Sequence, residues 1–117
     1  MGKYLRFEEL DVWQDAMCLC KKVYSVLKDC RDFGLKDQMQ RAAVSVPSNI
    51  AEGYERKSSK ETVQFLYIAK GSCGELRTQL YLATDLGYIE QEIGNKLIAE
   101  TVELNIKIYR YVQSLSK

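Results

Sequence analysis

The chain has 117 residues, 46% hydrophobic and 28% charged, enough material for one domain around one core and too apolar for a disordered segment. Lys and Arg number 17 against 16 Asp and Glu, a formal net charge of +1. A bulk electrostatic pull on nucleic acid or an acidic membrane is therefore excluded, and any such binding rests on local patches.

One proline and seven glycines leave few helix breakers, and the chain divides into four long apolar-patterned runs. The first, residues 8 to 31, carries Leu10, Trp13, Met17, Cys20, Tyr24 and Leu27 at steps of three and four, the spacing that shares one helix face. Phe33-Gly34 is read as its end. The second, residues 35 to 54, aligns Met39, Ala43, Val46, Ile50 and Tyr54, with Pro47 inside it. A proline ring removes the bond to the carbonyl four residues back, here that of Ala43, so this helix is expected to be kinked.

The third helix is expected to start near Ser59, because Ser58 and Glu61 have capping-box spacing, and to stop at Gly87. Its core stripe is Phe65, Ala69, Cys73, Leu76, Leu80 and Ala83, opposed by Val63, Tyr67, Gly71, Gly74, Thr78 and Tyr81. The fourth, residues 90 to 116, repeats Ile93, Leu97, Leu104, Ile108, Tyr111 and Leu115, and Lys107, Arg110 and Lys117 close it as the helix dipole favours. Short connections favour antiparallel neighbours, so residues 1–117 are read as a single all-α domain, an up-down-up-down antiparallel four-helix bundle with a kinked second helix.

The fourth run carries a second apolar set, Ile98, Val102, Ile106 and Tyr109. Together the two sets cover well over half the circumference, more than the arc of about 100° that one core needs. Mid-helix glycines cost about 1 kcal/mol relative to alanine, which asks for a close backbone approach or a bound group at Gly71 and Gly74. Gly71, Gly74, Thr78, Ile98, Val102, Ile106 and Tyr109 are thus the expected contact surface of a homo-oligomer, the alternatives being a fourth helix sunk more deeply in one core and scattered surface tyrosines.

In the second helix Arg41, Ser45, Ser48, Asn49, Glu52 and Arg56 fall on one arc opposite the apolar stripe. Short hydroxyl and amide side chains are poor helix formers that bond a backbone or a ligand, so this stripe is either a packed polar seam or a binding site. The structural version has Ser and Asn groups repair the helix at Pro47, with Asn49 and Glu52 hydrogen-bonded and Glu52 paired with Arg56 four residues on. For nucleic acid the candidate contacts are Arg56, Lys57, Lys60, Lys70 and Arg77 for phosphates, with Tyr67 and Tyr81 for stacked bases.

With no histidine in the chain, the commonest acid-base group and metal ligand is missing. Phosphate-cradling glycine loops are absent as well, and neither catalysis, a metal nor a cofactor is expected. Cys18, Cys20, Cys30 and Cys73 lack paired metal-ligand spacing and read as reduced thiols. No run approaches the ~20 apolar residues of a membrane span, and Met1 to Arg6 lead into acidic residues rather than an apolar signal segment. These features point to the cytoplasm and away from a membrane partner.

The run Arg41-Ala42-Ala43-Val44-Ser45-Val46-Pro47-Ser48-Asn49-Ile50-Ala51-Glu52-Gly53 resembles the signature of the four-helix-bundle proteins encoded in 23S ribosomal RNA intervening sequences. Further matches are Phe7 with Leu10, Val12-Trp13-Gln14 and Ala16, then Phe65-Leu66, Ala69, Gly71-Ser72 and Glu75-Leu76, and finally Asp85-Leu86-Gly87-Tyr88-Ile89. Val46 replaces the usual isoleucine, and the first connection lacks the proline often found there. The resemblance implies a homopentameric bundle without established activity, related in fold to the accessory variability protein of diversity-generating retroelements, which engages a reverse transcriptase and nucleic acid. It implies a scaffold or adaptor whose partners are itself and either RNA or a nucleic-acid enzyme, the alternative being an oligomeric protein-interaction module that binds no nucleic acid. It carries over no catalytic residue, and for Arg41, Ser45, Ser48, Asn49 and Glu52 it implies only that the polar stripe matters to the group.

Overall fold

The computed structural model describes residues 6–115, so the expected helix end at Ser116 and the role given to Lys117 lie outside the described residues. After a short 3-10 turn at Phe7–Glu9, the chain forms α1 (Asp11–Val26), α2 (Phe33–Tyr54), α3 (Ser59–Asp85) and α4 (Gln91–Leu115). The longest of these spans about 40 Å at 1.5 Å per residue, matching a molecule of 47 × 21 × 20 Å.

Local chemistry sets the helix ends. The Asp32 carboxylate accepts from Leu35 N–H at 3.1 Å and caps α2. Phe33-Gly34 therefore opens the second helix instead of closing the first, because a side-chain acceptor at Asp32 satisfies orphan N–H groups just where the pair begins. Ser58 Oγ accepts from Glu61 N–H at 3.2 Å, the cap expected for α3. Gly87 takes φ +82, the left-handed conformation that stops α3 and that glycine adopts without a Cβ clash. α2 continues through Pro47 as one helix, without the bond to the Ala43 carbonyl that proline cannot donate.

Side-chain contacts fix the direction of the helices. Asp15 meets Lys107 while Lys22 meets Glu100, so α1 and α4 run antiparallel. Cys73 Sγ lies 3.4 Å from the Thr101 carbonyl and Thr84 packs on Gly94, which sets α3 against α4 in the same sense. Ser45 meets Ser72, and Thr62 Oγ1 donates to the Gly53 carbonyl at 2.8 Å, which does so for α2 and α3.

The core is filled by Val23, Leu27, Met39, Val46, Ile50, Leu66, Cys73, Leu76, Leu80 and Ile108, among others. In α2 the inward stripe is the expected one. In α1 it is rotated by about 80°: Val12, Ala16, Leu19 and Val23 face inward with Cys20 and Leu27, whereas Tyr24 is 44% exposed and Trp13 and Met17 sit at the margin. Apolar residues cover so much of α1 that a 3.6-residue period admits two phases. Tyr and Trp, with a polar tip on an apolar body, tolerate the boundary, and Trp13 packs edge-on against Phe7 with ring centroids 5.3 Å apart. In α3, Phe65 is half-buried and Leu66 takes the fully buried position.

In α4 the core face is turned toward α3. Small residues at Gly94 and Thr101 let the two helices approach, which draws Ile98 into the core at 9% exposure and leaves Ile93 outside at 41%. Ile98 therefore leaves the expected oligomer surface. All four cysteines are free thiols, three of them buried, and burial pushes the Cys73 thiol up to about 11. Among the described residues no helix is long and apolar enough to cross a membrane.

Candidate functional site: a polar seam and a cation-aromatic face

The polar stripe of α2 forms a seam with α3. Ser45 and Ser72 share a hydroxyl bond of 2.8 Å, and Asn49 Nδ2 donates to the Ser45 carbonyl and hydroxyl at 2.8 and 2.9 Å. The amide thus reinforces the turn that contains Pro47 through Ser45, not through the Ala43 carbonyl as expected. Arg41 pairs with Asp37 and Arg56 with Glu52, both along the helix, while Ser48 faces outward. A groove of about 290 Å³ lined by Gln38, Arg41, Ala42, Ser45, Ser72 and Glu75 follows the seam. Its Arg and Glu balance, and its hydroxyls already have partners.

Removing Asn49 tests this arrangement. Asn49→Ala deletes two bonds at a half-buried position, and the expected loss is about 1–3 kcal/mol, read as a lower midpoint in thermal melting. An unchanged midpoint with lost ligand binding would make the seam a binding site.

The nucleic-acid candidates divide. Arg56 is held by Glu52 and lies over the Phe65 ring, 4.5 Å from its centroid, a cation-π contact that fixes it to the fold. Lys57 and Lys60 stand exposed at the α2–α3 turn, and the ten residues from Lys60 to Lys70 amount to about 15 Å along α3. Lys70 and Arg77 enter a second groove, of about 490 Å³, between α3 and α4. Val102, Asn105, Ile106, Tyr109, Arg110 and Gln113 complete its lining. Arg110, Asn105 and Gln113 escaped sequence reasoning: Arg110 was read as a complement to the helix dipole, and only an α3–α4 register brings it near Lys70.

The expected oligomer surface adjoins this groove. Tyr67, Gly71, Thr78 and Tyr81 are exposed on the outer side of α3, with Gly74 partly so. A Cβ on Gly71 or Gly74 would meet nothing within 4 Å, so neither glycine serves a close approach within the chain. Thr78 Oγ1 returns its proton to the Gly74 carbonyl at 3.1 Å. Val102 and Ile106 are 38% and 46% exposed. The interface and the nucleic-acid candidates therefore share one face of the bundle.

A third groove, of about 380 Å³ between α1 and α4, is spanned by the Asp15–Lys107 and Lys22–Glu100 pairs, with Cys18 between them. Hydrogen bonding to Glu100 holds the Lys22 ammonium above its ordinary range, and Asp15 does the same for Lys107. These pairs act as fasteners across the seam. Among the described residues no cluster of three or more His, Cys, Asp or Glu is placed to hold a metal.

Four long helices packed around one core, with no strand among the described residues, define the class as an all-α four-helix protein. The profile of the 23S rRNA-intervening sequence protein family matches residues 8–110, and the chain belongs to that family. A protein of unknown function from the S23 ribosomal protein family of Bacteroides thetaiotaomicron, solved as a crystal structure, shares the fold with a TM-score of 0.81 and 21% identity. The alignment covers 86% of this chain and 97% of that one. No curated protein matches the chain.

Proposed function

We propose that this protein is a non-enzymatic homo-oligomeric scaffold, a pentamer, that binds RNA or a nucleic-acid enzyme through basic patches repeated from subunit to subunit in the cytoplasm. The observation that carries this reading is the shared face of α3 and α4, where Val102, Ile106, Tyr67, Tyr81 and Tyr109 stand exposed beside Lys70 and Arg77. Exposed aliphatics in a contiguous patch favour a protein contact. Cations beside tyrosines favour a single strand, with phosphates on the former and bases on the latter. Repetition around a ring raises avidity without any new contact, which compensates for the net charge of only +1.

Lys57→Glu, Lys60→Glu and Arg77→Glu combined are expected to abolish retention of single-stranded RNA in a filter assay at unchanged assembly mass. Retention by the unmodified protein should fall steeply with salt, since counterion release supplies most of the free energy. Failure of the unmodified protein to retain RNA or DNA at low salt would leave the protein-only module. Exposed Ile68 and Leu82, on the side of α3 away from the cations, favour that second reading.

A further inference from the structure

The face formed by α3 and α4 is a poor match for a copy of itself. Every charged residue lining its groove is a cation, Lys70, Arg77 or Arg110, and none of the three has an ion-pair partner among the described residues. A twofold contact joins the same patch on both subunits, so it would set these cations against their own copies, and like charges facing each other across a contact are strongly disfavoured. Val102 and Ile106, exposed on this face, therefore call for a different surface of the neighbouring subunit.

The opposite edge of α3 has the matching chemistry. Ile68, Glu75 and Leu82 recur at seven-residue steps, which keep one side of a helix, about 160° around α3 from Lys70 and Arg77. Ile68 and Leu82 are 51% and 47% exposed. Glu75 is exposed and has no ion-pair partner among the described residues, because Arg41, which lines the same groove, is held by Asp37. The two edges also agree in height. Cys73 lies against Thr101 in the antiparallel α3–α4 pair, so Ile106, five residues on along α4, stands level with Ile68, five residues back along α3. Glu75 falls in height between Lys70 and Arg77. Aliphatic thus stands level with aliphatic, and acid with cations, without any shift along the bundle.

We propose that the Ile68–Glu75–Leu82 edge of one subunit packs head-to-tail on the α3–α4 face of a second copy of this chain, with Ile68 against Ile106 and Glu75 among the cations. Copies related by rotation about an axis along the bundle, with no rise, close into a ring, whereas a shift along that axis would build a filament. This inference rests on the homo-oligomeric part of the proposed function and names the second surface which that part requires. One acid against three cations leaves charge over for a strand. Lys70 and Arg110 also keep the contact attractive when Arg77 is reversed.

Cross-linking of the full-length protein tests the contact, after Cys18, the exposed thiol, is replaced by Ser. Chains carrying Ile68→Cys and chains carrying Ile106→Cys are expressed separately and together, and each sample is treated with a short bifunctional maleimide. Covalent dimers should form only in the co-expressed sample, because each variant alone offers its thiol on one side of the contact. In light scattering, Glu75→Arg should raise the protein concentration needed for half-assembly about tenfold, with helix content unchanged in circular dichroism and a smaller effect at high salt. Dimers of Ile106→Cys with itself would reveal a twofold contact and overturn the inference. So would a co-expressed sample without dimers, or a half-assembly concentration that ignores Glu75→Arg. Each of those results spares the scaffold reading as long as the unmodified protein runs above the mass of one subunit. An unmodified protein that stays at the mass of one subunit overturns the homo-oligomer itself.

Discussion

Replacing Val102 and Ile106 together with Glu is expected to split the proposed assembly into smaller particles that remain fully helical. Both side chains lie on the outer face of α4, 38% and 46% exposed, so the substitutions leave the core of the subunit untouched. In a covered interface each aliphatic contributes roughly 1 kcal/mol, less than half of the value for full burial, because more than half of it is already covered within the subunit. A carboxylate forced into the same place without a partner costs several kcal/mol more. Two such changes per contact exceed what most protein interfaces can absorb, and a ring repeats the loss at every seam. Light scattering reads the mass and circular dichroism the helix content. An unchanged mass would place the subunit contact elsewhere.

Much of the fold was legible because its signals are local. The Ser58 cap, the Gly87 stop and the α2 stripe of Met39, Ala43, Val46 and Ile50 each depend on residues within a few turns, and the structure has all three. The phase of α1 and the burial of Ile98 were not legible, since both are decided by how closely a neighbouring helix approaches. Apolar arcs wider than one core needs admit several rotations, and the sequence pattern alone ranks them equally. Thr101 and Gly94 break the tie in α4.

The candidate site divides along the same line. A hydrogen-bonding role for Asn49 was legible in α2, but not its acceptor, Ser45 rather than Ala43, and Ser72 is 27 residues beyond Ser45, so only the α2–α3 register joins them. The Glu52–Arg56 pair is legible at four-residue spacing and the structure has it, whereas the seat of Arg56 over Phe65, nine residues on, depends on the α2–α3 turn. The cation groove is the clearest case: Lys70 and Arg77 were legible as one side of α3, while Asn105 and Arg110 came from a helix more than 25 residues away.

Gly94→Ala is expected to destabilise the subunit by about 1–3 kcal/mol, the usual cost of overpacking a tight core contact. Elsewhere in a helix this change gains up to about 1 kcal/mol, so the sign itself is the test. A Cβ on Gly94 would sit 2.9 Å from Thr84 Cγ2 and 3.0 Å from Thr84 Cβ, closer still to the hydroxyl. Thr84 cannot easily yield, because its buried Oγ1 donates to the Leu80 carbonyl at 2.7 Å and a β-branched side chain in a helix has few rotamers. Gly71→Ala in the dissociated Val102→Glu, Ile106→Glu background is the control: nothing in the chain lies within 4 Å of that Cβ, so its thermal midpoint should rise. Combining Gly94→Ala with Thr84→Ala should recover part of the loss, and the double-mutant cycle isolates the contact. A rise in midpoint for Gly94→Ala alone would mean that α3 and α4 do not cross as closely as the packing of Thr84 on Gly94 requires.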